Sequence, residues 1–228
     1  MDASLYVRIR TSFGRFLAYF LLSPVLLVLV LLGYIRVRGY ARLFRVVKNE
    51  SLIIASNHPS LLEIFVIPLL FSPLYCLGLS RKIPWSIAAQ GLFPDALNTY
   101  MRCITVVRND NKSRIRCLQE SCRMINNGMS LIVYPEGGRT IKGTEFIDRH
   151  GRRIRTIDRG TLYVAQKTGA RIQTMFVDFP NVHEPLSMKG GLLHLLRGNR
   201  MTVHVGKLYD PDALSNEDLA SLILSAGL

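Results

Sequence analysis

The sequence predicts an α/β domain, with a mostly parallel sheet flanked by helices, preceded by an N-terminal membrane-inserted helical segment. Two observations lead to this prediction. Short apolar segments typical of buried strands alternate with helical patterns along most of the 228 residues, as in parallel sheets joined by helical crossovers. Near the N terminus, residues 16–35 carry no charge, and a helix of that length, about 30 Å, matches the hydrocarbon thickness of a bilayer.

This apolar segment is the first element of the chain. It is too long for a signal-peptide core, and Pro24 within it should kink or break the helix. It either spans the bilayer or dips into one leaflet, and the comparable basic flanks on its two sides favour dipping. The flanking residues are Arg8, Arg10 and Arg15 before it, and Arg36, Arg38, Arg42, Arg45 and Lys48 after it.

Both arrangements divide the chain at the same place. Residues 1–38 are predicted to anchor the protein, and residues 39–228 are predicted to form the folded domain. Because the heavier basic flank follows the apolar segment, we expect the domain to lie on the cytoplasmic face of the inner (plasma) membrane, where anionic lipids attract it.

Strand and helix signals alternate through the first half of the domain. Ser51–Ser56 is a short apolar strand candidate, and a helical pattern follows over Leu61–Leu70. Cys103–Val107 predicts a second strand, and the basic amphipathic segment Lys112–Asn126 predicts a helix that ends near Gly128.

The second half of the domain continues the alternation. Leu131–Tyr134 predicts a strand stopped by a proline, and Gly160–Thr168 predicts a helix closed by Gly169. The remaining candidates are the strands Ile172–Asp178 and Met201–Leu208 and a closing helix over Ser215–Ser225.

Charge and cysteine content restrict the partners. The 29 Lys and Arg against 16 Asp and Glu give a net charge of +13, which favours an acidic partner such as an anionic membrane, a phosphorylated substrate or a nucleic acid. No recognisable nucleic-acid module is present, so we expect no nucleic-acid partner. The cysteines have neither metal-binding spacing nor a disulfide framework, so we expect no metal site. They are Cys76, Cys103, Cys117 and Cys122.

The first candidate catalytic motif is Asn57-His58-Pro59-Ser60-Leu61-Leu62-Glu63. His58 would lie at the carboxyl end of a strand, where open α/β sheets bind ligands. A Glu63 carboxylate on one imidazole nitrogen would leave the other free to take a proton from a hydroxyl. Ser60-x-x-Glu63 is also a capping box, in which the carboxylate binds only helix backbone. This segment alone does not decide between the two interpretations.

The second candidate motif is Tyr134-Pro135-Glu136-Gly137-Gly138-Arg139-Thr140, which follows a buried strand. Glycines let backbone N–H groups approach an anion closely, and an arginine offers a bidentate fork to a phosphate. The motif is a candidate phosphate site, although glycine turns flanked by charges are also common on protein surfaces.

Together and in this order, the two motifs resemble the 1-acyl-sn-glycerol-3-phosphate (lysophosphatidic acid) acyltransferase family. Members of that family carry H-x4-D, an arginine closing a strand, F-P-E-G-T-R-S and a later small-apolar strand. The resemblance covers about residues 39–208. The matching positions are His58 with Glu63, the segment 104–108, the segment 134–140 and the segment 169–176.

The resemblance implies a glycerolipid acyltransferase fold and a specific reaction. A fatty acyl chain would move from acyl-CoA or acyl carrier protein to the sn-2 hydroxyl of 1-acyl-sn-glycerol 3-phosphate, making phosphatidic acid without a bound cofactor. His58 would be the general base, and Glu63 would orient it. The residues expected to bind or shape the lysophospholipid site are Asn57, Arg108, Glu136, Gly137, Gly138 and Arg139.

Three departures from the family pattern leave the acceptor open. Glu63 replaces the usual Asp, and Gly138 replaces Thr, which is expected to loosen the phosphate loop. The stretch 141–159 is longer than expected and rich in arginine, either as a solvated hairpin or as a binding element. The alternative acceptors are another lysolipid or an amino-acid lipid. A protein of a different class, a non-enzymatic membrane-anchored binder of anionic lipid or nucleic acid, would leave His58 and Glu63 idle.

Overall fold

The structure, a computed structural model, describes most of the chain after residue 22. The described ranges are 23–46, 50–73, 84–91, 98, 103–107, 109–140, 146–149, 152–180, 188–212 and 214–226.

The elements within these ranges are numbered in chain order. The strands are β1 Ile35–Arg38, β2 Ile53–Ser56, β3 Trp85–Ala89, β4 Cys103–Val106, β5 Leu131–Val133, β6 Phe146–Arg149, β7 Arg152–Arg155, β8 Ile172–Asp178 and β9 Met201–Tyr209. The helices are α1 Ser23–Leu31, α2 Ala41–Val46, α3 Glu63–Leu69, α4 Asn111–Asn126, α5 Gly160–Thr168, α6 Met188–Leu196 and α7 Asn216–Leu224.

Seven of these strands form one sheet in the order β1-β9-β8-β2-β5-β3-β4. Neighbours from β8 through β2, β5 and β3 to β4 pair in parallel, whereas β9 is antiparallel to β8 and β1 runs parallel to β9. Strands β6 and β7 form a separate antiparallel hairpin. The predicted mostly parallel sheet is confirmed.

Helices cover both faces of the sheet. On one face, Ile54 of β2 packs into a cluster that includes Leu26 of α1 and Leu195 of α6. On the other face, the preceding residue, Ile53, packs with residues of α4, α5 and α7, among them Ile125. Alternate residues of β2 therefore enter two cores, as expected for a central parallel strand that is buried on both sides.

Strand β1 corrects the division of the chain at residue 38. Ile35 is 1% exposed and pairs with Met201 of β9, so residues 35–38 belong to the sheet rather than to the anchoring segment. The I-R-V-R pattern alternates apolar and basic residues, which lets a strand bury one side and expose the other.

The N-terminal apolar segment is described only in part. Residues 16–22 lie outside the described residues, and α1 covers nine residues of the remainder. Among the helices of the described chain, none is long and apolar enough to cross a bilayer.

The helix after β2 also differs from its predicted bounds. It begins at Glu63 rather than Leu61, because residues 59–62 form a turn in which the Ser60 Oγ accepts the backbone N–H of Leu62 at 3.0 Å. Because of this turn, the helix starts later in the sequence, and the chain after β2 can fold back over the edge of the sheet.

The two motifs meet at that edge. Strands β2 and β5 are parallel neighbours, with Ala55 opposite Val133. The loops that leave their carboxyl ends, one beginning at Asn57 and the other at Tyr134, therefore lie side by side. This is the position at which parallel sheets bind ligands.

Candidate active site

His58 and Glu63 form a buried pair at this edge. The His58 Nδ1 lies 2.5 Å from the Glu63 Oε1, and Glu63 is 0% exposed. A carboxylate can only accept, so Nδ1 carries the proton and Nε2 is the basic nitrogen. The geometry allows Nε2 to take a proton from a bound hydroxyl.

Glu63 also holds the turn before α3. Its Oε1 accepts the Ser60 N–H at 3.0 Å, and its Oε2 accepts the Ser60 hydroxyl at 2.6 Å. The two interpretations drawn from the sequence are therefore compatible, since one carboxylate contacts both the imidazole and the turn. The contact with Ser60 fixes the carboxylate in the position from which it reaches His58.

Tyr134 covers the face of the imidazole. The two rings stack with centroids 4.6 Å apart and planes inclined by 29°. The Tyr134 hydroxyl is buried without a hydrogen-bond partner in the described residues, and burial raises its pKa well above the ordinary value. One hydrogen bond to Glu63 would still let the His58 ring rotate. The stacked Tyr134 ring restricts that rotation.

Glu136 joins the two motifs. It is 3% exposed, and its Oε1 accepts the His58 N–H and the Thr140 hydroxyl, each at 2.7 Å. Its Oε2 accepts the Arg155 N–H at 2.9 Å. Burial raises the pKa of Glu136, while these three hydrogen bonds act in the opposite direction. Glu136 therefore contributes to the site by holding the two loops and the β6–β7 hairpin together.

Asn57 fixes the loop to a neighbouring strand. Its Nδ2 donates to the Val177 carbonyl at 2.9 Å, and its Oδ1 accepts the Val177 N–H at 2.6 Å. Both halves of the buried amide thus bind the backbone of β8. The sequence led us to expect that Asn57 binds substrate. The structure shows that its side chain positions the loop after β2, a role that the sequence did not indicate.

The turn from Gly137 to Arg139 lies beside His58. Gly137 has a φ of 63°, in the left-handed region that glycine adopts without strain. Arg139, in the same turn, is half-buried. The structure thus brings the E-G-G-R motif against the His58 loop, while Arg108 lies outside the described residues.

A cavity of about 410 Å³ extends from His58 and the glycine turn into the domain. It lies between the sheet and the helices α4 and α5, and most of its lining is apolar. The apolar lining includes Ile87, Ala88, Val106, Cys117, Val133 and Val164.

Comparisons with known proteins identify the family. The family profile described as Acyltransferase matches residues 35–178, from the start of β1 to the end of β8. The chain belongs to the Acyltransferase family. It is an acyltransferase, as the two motifs predicted.

A solved structure shares the fold of this acyltransferase. The crystal structure of the 1-acyl-sn-glycerophosphate (LPA) acyltransferase PlsC from Thermotoga maritima superposes with a TM-score of 0.55 at 19% sequence identity. The match covers 95% of this chain and 74% of that chain. A comparison with curated protein sequences found no match.

The three cysteines within the described ranges are poor nucleophiles. Burial raises the pKa of Cys103 to about 11 and also raises the pKa of Cys117 and Cys122, so these thiols stay protonated at neutral pH. Within the described ranges, no group of three or more His, Cys, Asp or Glu could hold a metal ion. The His58–Glu63 pair is the best-placed group for acid–base chemistry at the cavity.

The sequence did not predict two contacts of the site. The hydrogen bonds of Glu136 to Thr140 and Arg155 connect residues four and nineteen positions apart. The basic stretch 141–159 was noted only for its length and charge, and neither feature indicated that β7 would contact the carboxylate of the second motif.

Proposed function

We propose that this acyltransferase moves a fatty acyl chain from acyl-CoA or acyl carrier protein to the sn-2 hydroxyl of 1-acyl-sn-glycerol 3-phosphate, making phosphatidic acid. One observation carries the proposal. A buried His58–Glu63 pair, the E-G-G-R turn and the mouth of an apolar cavity occupy the same sheet edge. A base, a candidate phosphate site and space for an acyl chain are what this reaction needs.

The base acts on the acceptor. His58 Nε2 removes the proton of the sn-2 hydroxyl as its oxygen attacks the thioester carbonyl carbon, and Glu63 stabilises the imidazolium that forms. The tetrahedral intermediate collapses with cleavage of the C–S bond, and the imidazolium returns the proton to the leaving thiolate. Because the thioester is already activated, no acyl-enzyme is needed.

The acceptor's phosphate would bind at the glycine turn. Gly137 and Gly138 have no side chains to shield their own backbone N–H groups, and the Arg139 guanidinium can form a bidentate contact with phosphate oxygens. Arg108 is assigned to the same phosphate by its position in the motif order. This site favours a phosphomonoester acceptor over the alternative lysolipids and amino-acid lipids.

The cavity would hold the acyl chain, so its free length should set chain-length preference. Cys117 of α4 lines the cavity and is buried. We expect Cys117→Leu to shift the preferred acyl donor to shorter chains, because the added volume shortens the apolar space. Competition among acyl-CoA donors of different length, read by mass spectrometry, measures the shift.

A matched substitution on the same helix, outside the cavity, serves as the control. Gln119 is an exposed residue of α4, so Gln119→Leu adds an apolar side chain outside the cavity and should leave the donor profile unchanged. A folded Cys117→Leu enzyme with the wild-type profile would show that the acyl chain lies elsewhere.

The membrane surface is the proposed location of the enzyme. Helix α1 exposes Leu27, Val28 and Leu31, and α6 exposes Leu192, Leu193 and Leu196. Both helices pack into the core on the same face of the sheet. Basic residues Lys189, Arg197 and Arg200 lie in and after α6 and are exposed, which suits anionic lipid headgroups.

We expect a dye on this face to enter the lipid. An environment-sensitive dye on Leu193→Cys should shift to shorter wavelength with anionic vesicles and be quenched by nitroxide lipids. The same dye on Ile115→Cys should not, because Ile115 is an exposed residue of α4, on the opposite face of the sheet. Equal responses at both positions would contradict the proposed orientation.

The acceptor assay tests the function as a whole. The full chain in mixed micelles is supplied with acyl-CoA or acyl carrier protein thioester and one acceptor, either lysophosphatidate or monoacylglycerol, which lacks the phosphate. Free thiol and lipid product are both measured. We expect phosphatidate with the first acceptor and little product with the second. Equal or greater transfer to monoacylglycerol would contradict the phosphomonoester acceptor, and no transfer to either lipid would contradict the proposed reaction.

A further inference from the structure

The hairpin β6–β7 lies over the second motif, and a hydrogen bond from its backbone holds it there. The Arg155 N–H, at the end of β7, donates to the Glu136 Oε2 at 2.9 Å. The same carboxylate accepts from His58 through its other oxygen. Through Glu136, the Arg155 main chain is therefore connected to the loop that carries His58. This connection fixes the position from which the Arg155 side chain extends.

The Arg155 guanidinium occupies the space beside Gly138. A β-carbon built on Gly138 would lie 2.8 Å from the Arg155 Nη1, a distance at which one of the two must move. No other heavy atom of the described residues outside the turn lies within 4 Å of that position. An arginine therefore occupies the volume that a side chain at position 138 would take.

The guanidinium has no partner among the described residues. No hydrogen bond or ion pair joins it to them, although it is only half-exposed. Arg152 of the same strand differs, because its guanidinium donates to the Leu224 and Ala226 carbonyls at 3.1 and 3.0 Å. Arg152 thus fastens the hairpin to α7, whereas the Arg155 guanidinium lies beside Gly138 without a partner among the described residues.

An acidic side chain lies on the Gly137 side of the turn. A β-carbon on Gly137 would be 3.0 Å from the Asp158 Oδ2, yet Asp158 forms no ion pair with Arg155 within the described structure. An anion that approached from the Gly137 side would meet this negative charge. The Gly138 side, where the Arg155 Nη1 lies, is the favourable side for an anion.

We propose that Arg155 binds the phosphomonoester of the acceptor together with Arg139, and that position 138 is glycine because any side chain there would displace the guanidinium. This inference rests on the proposed function and adds a binding residue to it. A phosphomonoester carries close to two negative charges and three acceptor oxygens at neutral pH, so it can accept paired hydrogen bonds from more than one guanidinium group.

Neutral substitution of Arg155 tests the binding role. We expect Arg155→Gln to raise the KM for lysophosphatidate about tenfold or more, the loss typical of a charge-assisted contact, with the KM for acyl-CoA unchanged. Arg155→Lys should recover part of the loss because the charge remains. Arg153→Gln, an exposed arginine of the same strand, removes the same charge and should leave both KM values unchanged.

A double substitution tests the link to Gly138. Gly138→Thr should raise the lysophosphatidate KM in the wild-type enzyme, because the new side chain displaces Arg155. In the Arg155→Gln enzyme the same change should add little, so the two effects are not additive. Melting temperatures within a few degrees of the wild type show that each variant is folded.

The outcomes separate this inference from the proposed function. A wild-type enzyme that uses lysophosphatidate, combined with an Arg155→Gln KM no higher than that of Arg153→Gln, would overturn the role of Arg155 alone. Additive effects of Gly138→Thr and Arg155→Gln would overturn the steric link. A wild-type enzyme that does not acylate lysophosphatidate at all would overturn the proposed acceptor and this inference with it.

Discussion

Glu63→Gln is expected to lower kcat at least about 100-fold while leaving the melting temperature nearly unchanged. The Gln carbonyl can take the place of Oε1 and accept the Ser60 N–H, and its amide can donate to the Ser60 hydroxyl. The turn before α3 therefore keeps its hydrogen bonds. What the variant loses is the negative charge beside His58.

The lost charge should act through the imidazolium. In the wild type, the carboxylate 2.5 Å from Nδ1 stabilises the positive charge that His58 acquires when it takes the proton. An amide supplies no such charge, and its NH₂ group can also face the ring and favour the wrong tautomer. In the catalytic triad of serine proteases, replacing the orienting carboxylate by an amide costs roughly 10⁴-fold in kcat.

Two further variants distinguish catalysis from capping. Glu63→Asp keeps the charge on a shorter arm and should retain part of the activity. Ser60→Ala removes the hydroxyl contact but leaves the His58–Glu63 pair, so its kcat should fall far less than that of Glu63→Gln. Near-normal turnover of a folded Glu63→Gln enzyme would mean that Glu63 serves only the turn, and that His58 has another partner.

The parts of the site that were predictable are local in sequence. His58 and Glu63 are five residues apart, and the strand–turn–helix signals around them placed the imidazole at a strand end. The contact of Glu136 with the His58 backbone joins residues 78 positions apart. This contact requires β2 and β5 to be neighbours in the sheet. The apolar pattern of a strand does not indicate which strand lies beside it.

The missed elements share a physical cause. Strand β3 has the mixed sequence Trp85-Ser86-Ile87-Ala88-Ala89, and its strand conformation follows from pairing with β4 and β5. Strand β1 lies in the basic flank of the apolar segment, where its charges indicated a membrane interface. For both, tertiary pairing decides the conformation more than local propensity does.

Glu136→Gln is expected to lower the melting temperature by several degrees as well as lowering activity, in contrast to Glu63→Gln. The carboxylate accepts three donors with two oxygens, namely the His58 N–H, the Thr140 hydroxyl and the Arg155 N–H. An amide has one acceptor oxygen, so in either orientation its NH₂ group faces a backbone N–H. At least one buried donor then loses its partner.

The size of the effect follows from that lost partner. An unsatisfied buried donor costs about 1–3 kcal/mol, and for a domain of this length each kcal/mol lowers the melting temperature by roughly 2–4 °C. If the NH₂ group faces His58, the imidazole loop should also shift and kcat should fall. If it faces Arg155, the hairpin should loosen and the lysophosphatidate KM should rise. Thermal unfolding and steady-state kinetics on the same preparation measure both effects. A Glu136→Gln enzyme with wild-type stability and a normal KM and kcat would show that the three contacts do not hold the site together.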